Sequence, residues 1–198
     1  MKERPMLFSG PMVRAILDGR KTQTRRLVKP QPNYVNTLGV PFYPDGKGPV
    51  DYRCCPYGQP GDRLWVKETF AYAGPEINLV PGFVYRATDP DWSTLVGFRW
   101  KPSIFCTRAA SRITIEITAI RIERLNDISQ EDALAEGMDV FEDGAGFTVP
   151  PNGAWHRNPE DAFRDLWQSI NGPDSWSANP WVWVVEFKAL PPRLRASA

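Results

Sequence analysis

The stretch from Arg112 to Leu125 constrains this chain most. Ile113, Ile115 and Ile117 alternate with polar neighbours, and Ile120 and Ile122 then continue one residue out of phase. Strand side chains point to opposite faces with period two, so a shift of one residue turns every later side chain to the other face unless the backbone absorbs it. A β-bulge or sharp bend near Thr118-Ala119 is therefore expected, of the kind barrels use at their corners. Trp181 to Leu190 adds a second constraint. Its run Trp181-Val182-Trp183-Val184-Val185 is apolar on both faces, which predicts a central strand.

Shorter elements fit around these two. Gly10-Pro11 followed by Met12, Val13, Ile16 and Leu17 predicts a short amphipathic helix with Pro11 at its first position and Gly19 as its stop. Thr22 to Val28 continues as a strand until Pro30 and Pro32 interrupt it. Residues 30–62, dense in Pro, Gly, Asn and Asp, read as a long loop. Gly61-Asp62 turns into a strand over Leu64 to Phe70, whose alternation sets the carboxylate of Glu68 on the face of Leu64 and Val66. Gly82 to Thr88 reads as another strand and Phe98 to Phe105 as a weaker one. Ser129 and Asp132 have the spacing of a capping box, opening a helix that stops at Gly137 with Glu136 in its last turn. A second helix begins at Asn158, carries Phe163, Leu166, Trp167 and Ile170 on one face, and ends at Asn171-Gly172-Pro173. The tail after Pro191 is expected to fray.

A chain of 198 residues buries roughly 70% of its unfolded surface, enough for one core and marginal for two, so one domain over 1–198 is expected. The mixture of about five or six strands with three short helices, not alternating regularly, predicts an α+β domain built on a small, partly closed β-barrel. No apolar run reaches the roughly 18 residues of a membrane span, and Met1-Lys2-Glu3-Arg4-Pro5 lacks the apolar stretch of a signal peptide. Cys54, Cys55 and Cys106 form no disulfide framework and fit a reducing compartment. A cytoplasmic protein without membrane contact is the expectation. A zinc site from these cysteines and His156 is not expected, because adjacent cysteines suit one tetrahedral ion poorly.

Net charge is only +1, yet from Arg20 to Lys29 five of ten residues are cationic (Arg20, Lys21, Arg25, Arg26, Lys29) and none is acidic. On charge alone this is either a solvated face or a surface for a polyanion. Its position at a helix exit adds a chemical alternative. Lys21 and Thr24, three apart, share one side only if Lys21 still belongs to the helix turn. A lysine acting as a base near neutrality must titrate about three pH units below its reference value of about 10.4, roughly 4 kcal/mol of disfavoured charge. Burial shifts lysines that far, and Arg20, Arg25 and Arg26 push the same way. A threonine hydroxyl needs such a base beside it to act as a nucleophile. The competing reading is that Lys21 and Thr24 merely decorate a strand edge.

The pattern Gly19-x-Lys21-Thr22-x-Thr24-x-Arg26 after a short helix, the Gly61-Asp62-x-Leu64-Trp65-Val66 strand, the long Ile-rich strand, the Ser129 to Gly137 helix and the Trp181 to Phe187 strand together resemble the ASCH domain family. The resemblance spans most of the chain in the same order and is nearest to phage and prophage forms. It implies a barrel related to the PUA RNA-binding domain, with insertions at about 30–61 and 140–156. One branch of that family comprises bacterial amidohydrolases that deacetylate N4-acetylcytidine with a lysine, a threonine and a glutamate. By resemblance these fall on Lys21, Thr24 and Glu136, with Glu131 or Glu68 as alternative acids. Lys21 then activates Thr24 or a water, and Glu136 manages protons at the leaving nitrogen. Other members are RNA-cleaving or only bind nucleic acid, so the family does not fix the reaction.

The expected partner is thus a nucleoside or RNA, with DNA as the alternative. No cofactor, metal or obligate protein partner is called for. Arg20, Arg25, Arg26 and Lys67 are candidates to hold phosphates. Trp65, Tyr85 and Trp100 are candidates to stack on a base, though each also suits a core, and Glu68 completes the candidate binding set.

Overall fold

The computed structural model describes residues 1–73, 82–89, 99–141, 144–149 and 153–191. The chain opens with strand β1 (Glu3–Leu7), helix α1 (Gly10–Leu17) and β2 (Gln23–Leu27). A small ribbon, β3 (Tyr34–Val35) with β4 (Pro41–Phe42), precedes β5 (Arg63–Lys67), and a second ribbon pairs β6 (Phe70–Ala73) with β7 (Gly82–Tyr85). After β8 (Thr114–Arg124) come α2 (Gln130–Ala135), a third ribbon of β9 (Asp139–Val140) and β10 (Phe147–Thr148), α3 (Pro159–Asn171) and β11 (Trp181–Ala189). The fold is α+β. Its main sheet has five strands in the order β1-β5-β8-β11-β2, antiparallel except for the parallel β1–β5 pair.

The long strand behaves as its pattern requires. Across the β8–β11 ladder Glu186 faces Ala119 and Phe187 faces Ile117, so Thr118 is the extra, exposed residue. Because of that bulge Ile115, Ile117, Ile120 and Ile122 all pack on one core. Arg121 and Glu123 turn to the opposite side instead, where Arg121 pairs with Asp132 and Glu186. β11 is buried on both faces. Trp181, Trp183, Val185 and Phe187 enter the core with Leu64, Val66 and the isoleucines, while Val182 and Val184 enter a second core under α2 and α3 with Ala133, Phe163 and Trp167.

Several expectations need correction. The sheet is not closed into a barrel: β1 and β2 are its edges, and no ladder joins them among the described residues. A side chain bridges the seam instead, Arg26 Nη2 donating to Leu7 O at 2.7 Å with its guanidinium 5.4 Å from the Phe8 ring centre. β1 carries no sequence signal, because Pro5 sits mid-strand and only Met6 is buried. An edge strand tolerates both features. Residues 30–61 are tied down by the β3–β4 ribbon and by Val50 and Cys55, which are buried in the main core. Of the strand expected over Phe98 to Phe105, Phe98 lies outside the described residues. The rest makes a single bridge, Lys101 to Phe70, before Pro102, which has no N–H to extend a ladder, leads into a 3-10 turn at Ser103–Phe105. Within 140–156, β9 and β10 form a ribbon that touches α3, residues 142–143 and 150–152 lying outside the described set. Residues 192–198, the expected frayed tail, also lie outside it. No helix among the described residues is long and apolar enough to cross a membrane.

The bulge makes a direct test of this architecture. Thr118→Ala, at an exposed position, is expected to change stability by no more than about 0.5 kcal/mol. Inserting a second residue after Thr118, beyond the one the bulge absorbs, drives Arg121 and Glu123 toward the apolar core and is expected to abolish cooperative denaturant unfolding. Equal stability of the two variants would disprove the phase argument.

Candidate functional site

The basic segment lies between the C-terminal turns of two helices. α1 ends at Asp18, and Gly19 takes φ +74°, a left-handed turn that glycine adopts without strain. Lys21 N then donates to Ala15 O at 2.9 Å, and Thr22 N to Ala135 O at 2.9 Å. Gly137, just past α2, makes the close approach possible. A Cβ there would lie 3.0 Å from Ala15 Cβ and 3.1 Å from Lys21 Cβ, and its φ of +93° disfavours any side chain.

Lys21 is wholly enclosed. Its Nζ donates to Glu136 Oε2 at 2.6 Å and to Glu136 O at 2.7 Å, so one carboxylate and one helix-terminal carbonyl solvate the ammonium. Burial pushes the amine below the ordinary lysine value. The Glu136 carboxylate opposes that shift by charge and hydrogen bond, while Arg26 and Arg25 reinforce it. Glu136 is 3% exposed, and its Oε1 has no hydrogen-bond partner among the described residues, Arg25 Nη1 being 3.8 Å away.

Arg25 belongs to an ionic network rather than to a free cationic surface. Its fully buried guanidinium donates to Asp132 Oδ2 at 2.7 Å, to Glu123 Oε2 at 3.0 Å and to Gln23 Oε1. Asp132 also accepts from Gln23 and Arg121. Burial would raise the Asp132 carboxyl, but these three donors outweigh it and hold its pKa at about 2. Only half of the expected capping box forms. Ser129 Oγ accepts from Asp132 N at 3.2 Å, while the Asp132 side chain faces the arginines.

Beside the Lys21–Glu136 pair opens a pocket of about 310 Å³. Thr24, Arg25, Arg26 and Leu27 all line it. Four consecutive strand residues can share one cavity only at the strand's edge, since alternate side chains point to opposite faces. β2 is such an edge. Val28 N donates to Trp181 O and Phe187 N to Thr22 O, so by alternation the main-chain groups of Arg25 and Leu27 turn away from β11, toward the open edge. Glu136 and Thr24 are on the polar wall, and Thr24, 2% exposed, makes no side-chain hydrogen bond among the described residues. Lys21 lies behind that wall. Met12 and the α3 residues Phe163, Leu166 and Trp167 form the apolar side, and Pro56-Tyr57 contribute a further wall.

The structure thus brings together Lys21, Thr24, Glu136, Arg25 and Arg26. Arg20 points elsewhere, paired with Asp18 and Asp139. Glu131 is exposed on α2. Glu68, 1% exposed, is held by Arg112 through bonds of 2.9 and 3.0 Å, and Arg112 stacks 4.0 Å from the Tyr85 ring centre. Tyr85 is buried, its hydroxyl donating to Ala110 O, and Lys67 donates to Ile104 O near Trp65. Trp65, Lys67, Glu68 and Tyr85 therefore belong to another region, because alternation along β5 fixes their faces but not their distance from β2. Tyr57, Lys29 and the α3 wall line the same pocket, and motif reading passes over them. Tyr57 has no signal beyond its place in a long ordered loop, whereas the Phe163/Leu166/Trp167 stripe is visible but reads equally as core. Cys54 is exposed, Cys55 and Cys106 are buried, and no group of three metal-ligating side chains occurs among the described residues.

No protein-family model matches the chain, and no curated protein matches it. Among solved structures, a crystal structure of an Enterococcus faecalis V583 protein described under the family model DUF984 is similar to it, with a TM-score of 0.42 and 10% identity over all of this chain and 86% of that one.

Two measurements probe the site. Lys21→Met strands a buried carboxylate and is expected to cost about 3–5 kcal/mol in denaturant unfolding. The double variant Lys21→Met/Glu136→Leu, with neither charge, is expected to recover most of that loss, and a double variant as unstable as the single one would contradict a coupled pair. Asp132 titrates in the folded state at about 2, below its unfolded value of about 3.9. Its contribution is complete above about pH 4 and disappears as pH falls toward 2. Asp132→Asn is therefore expected to be less stable at pH 6 and to lose less on acidification from pH 4 to pH 2, as followed by thermal melts.

Proposed function

We propose that this chain is a small-substrate amidohydrolase of the ASCH type, its five-stranded sheet left open at the β1–β2 seam, acting on N4-acetylcytidine or a related modified nucleoside. The observation that carries the reading is the buried Lys21–Glu136 pair, set against a pocket walled by Thr24 and Glu136. A desolvated amine of lowered pKa, a hydroxyl without a partner and a carboxylate with one unsatisfied oxygen are the groups that acyl transfer from an amide requires. The cavity, about 310 Å³, is at the small end of the range for small-molecule sites.

In this scheme the Lys21 ammonium first gives a proton to the Glu136 carboxylate, and the oxygen of Thr24, or of a water it positions, then bonds to the acyl carbon as its own proton passes to the neutral Lys21 amine. Glu136 relays a proton from Lys21 to the departing exocyclic nitrogen as the C–N bond breaks. If Thr24 is the nucleophile, a water then hydrolyses its acetyl ester and frees acetate. The outward main-chain groups of Arg25 and Leu27 offer an alternating donor and acceptor edge for the base, and Tyr57 and Trp167 offer faces against which a ring can lie.

The alternative of a non-catalytic RNA or DNA module, or of a ribonuclease, draws on the same basic segment. It is the less supported reading, because Arg20 and Arg25 are already neutralised by carboxylates. Incubation with N4-acetylcytidine is expected to release cytidine and acetate, detected by mass. Lys21→Ala and Glu136→Gln are each expected to lower kcat/KM by about 100-fold or more. Absence of turnover, together with RNA binding whose logarithm falls steeply with log salt, would sink the hydrolase reading in favour of the module.

A further inference from the structure

The five cations between Arg20 and Lys29 divide into two groups. Arg20 rests on Asp18 and Asp139, Lys21 on Glu136, and Arg25 on Glu123 and Asp132. Arg26 and Lys29 have no carboxylate within ion-pair distance among the described residues, and both line the pocket beside Thr24 and Glu136. Arg26 is held in place by Leu7 O and by the Phe8 ring, yet its Nε is buried without an acceptor. Arg25 Nε is buried without an acceptor as well, so it is the lack of a neutralising carboxylate beside a cavity, and not the buried nitrogen, that marks Arg26 and Lys29 as a site for an anion. Tyr57 lies near enough to Arg26 for the guanidinium's charge to bear on its phenol, so an anion there would sit at the mouth of a cavity already walled by an aromatic ring.

We propose that Arg26 and Lys29 form a subsite for one phosphate monoester, so that the molecule bound in this pocket is a nucleoside 5′-monophosphate rather than a free nucleoside or a polynucleotide. The inference rests on the nucleoside reading of the pocket. Arg26 supplies the directional contact through the guanidinium N–H groups that Leu7 O leaves free, and Lys29, exposed, supplies a point charge. Two cations at one cavity mouth match one dianion. A polynucleotide needs a track of unpaired cations, and the carboxylates on Arg20 and Arg25 remove that track.

The test is calorimetric titration of the intact protein with cytidine, cytidine 5′-monophosphate and oligocytidylate at fixed ionic strength, which needs no turnover. The monophosphate is expected to bind at least ten-fold tighter than cytidine. Lys29→Gln, an exposed change that spares the fold, is expected to remove several-fold of that preference, and Arg26→Gln nearly all of it. Arg20→Gln, outside the pocket, is expected to leave the preference intact. Equal affinity for cytidine and its monophosphate overturns the phosphate subsite while leaving the nucleoside reading standing. Binding of neither overturns both. Oligocytidylate binding more than ten-fold tighter than the monophosphate, with a salt slope of several ions, also overturns the subsite and indicates a nucleic-acid track.

Discussion

An ammonium and a carboxylate enclosed together, Lys21 and Glu136, set the conditions the surrounding structure has to meet. Neither is tolerable inside a protein without the other. The pair is held by the two helix ends that flank it: Ala15 O and Ala135 O fix the main chain at Lys21 and Thr22, and Glu136 O takes a second bond from the ammonium. Those bonds bring the end of α1, the end of α2 and the start of β2 to one place. Gly137 is required there because the lysine stem and Ala15 leave no room for a side chain.

Around this pair the protein keeps its charge balance local. Arg25 is taken up by Asp132 and Glu123, and Arg121 by Asp132, Glu123 and Glu186, on the face to which the Thr118 bulge turns them. A bulge that serves packing on one side of β8 therefore also serves electrostatics on the other. The isoleucines remain in the core, and the ionic network gathers behind Glu136. The same placement leaves one buried carboxylate oxygen of Glu136, which lines the pocket, without a hydrogen-bond partner among the described residues.

The open edge of the sheet is the other feature on which the pocket depends. Were β2 paired on both sides, Thr24 and Arg26 would face one layer, Arg25 and Leu27 the other, and no cavity could reach all four. The seam between β1 and β2, spanned by Arg26 and Phe8 rather than by a ladder, gives the pocket its position, and α3 and Tyr57 give it walls. Closure by side chains rather than by hydrogen-bonded backbone is what keeps a cavity at that edge.

Much of the frame was legible in the residues. Period-two alternation located β8 and its bulge, the doubly apolar run located β11 at the interior of the sheet, and Gly19 and Gly137 marked the two helix ends between which Lys21 lies. These features are local, and their physics is fixed by near neighbours in the chain. β1, with Pro5 and one buried residue, was not legible, because only its parallel partner β5 makes it a strand. Which carboxylate would meet Lys21 was also beyond local reasoning: Glu68, Glu131 and Glu136 differ in sequence only by context, and it was the docking of α2 against the exit of α1 that brought Glu136 to 2.6 Å while Glu68 was claimed by Arg112. Local pattern sufficed for β8, β11, the helix stops and the reserve of basic charge. Tertiary structure decided which of those charges are neutralised and which are left facing a cavity, because an ion's partner is set by distance in space and by burial, and neither is encoded in spacing along the chain.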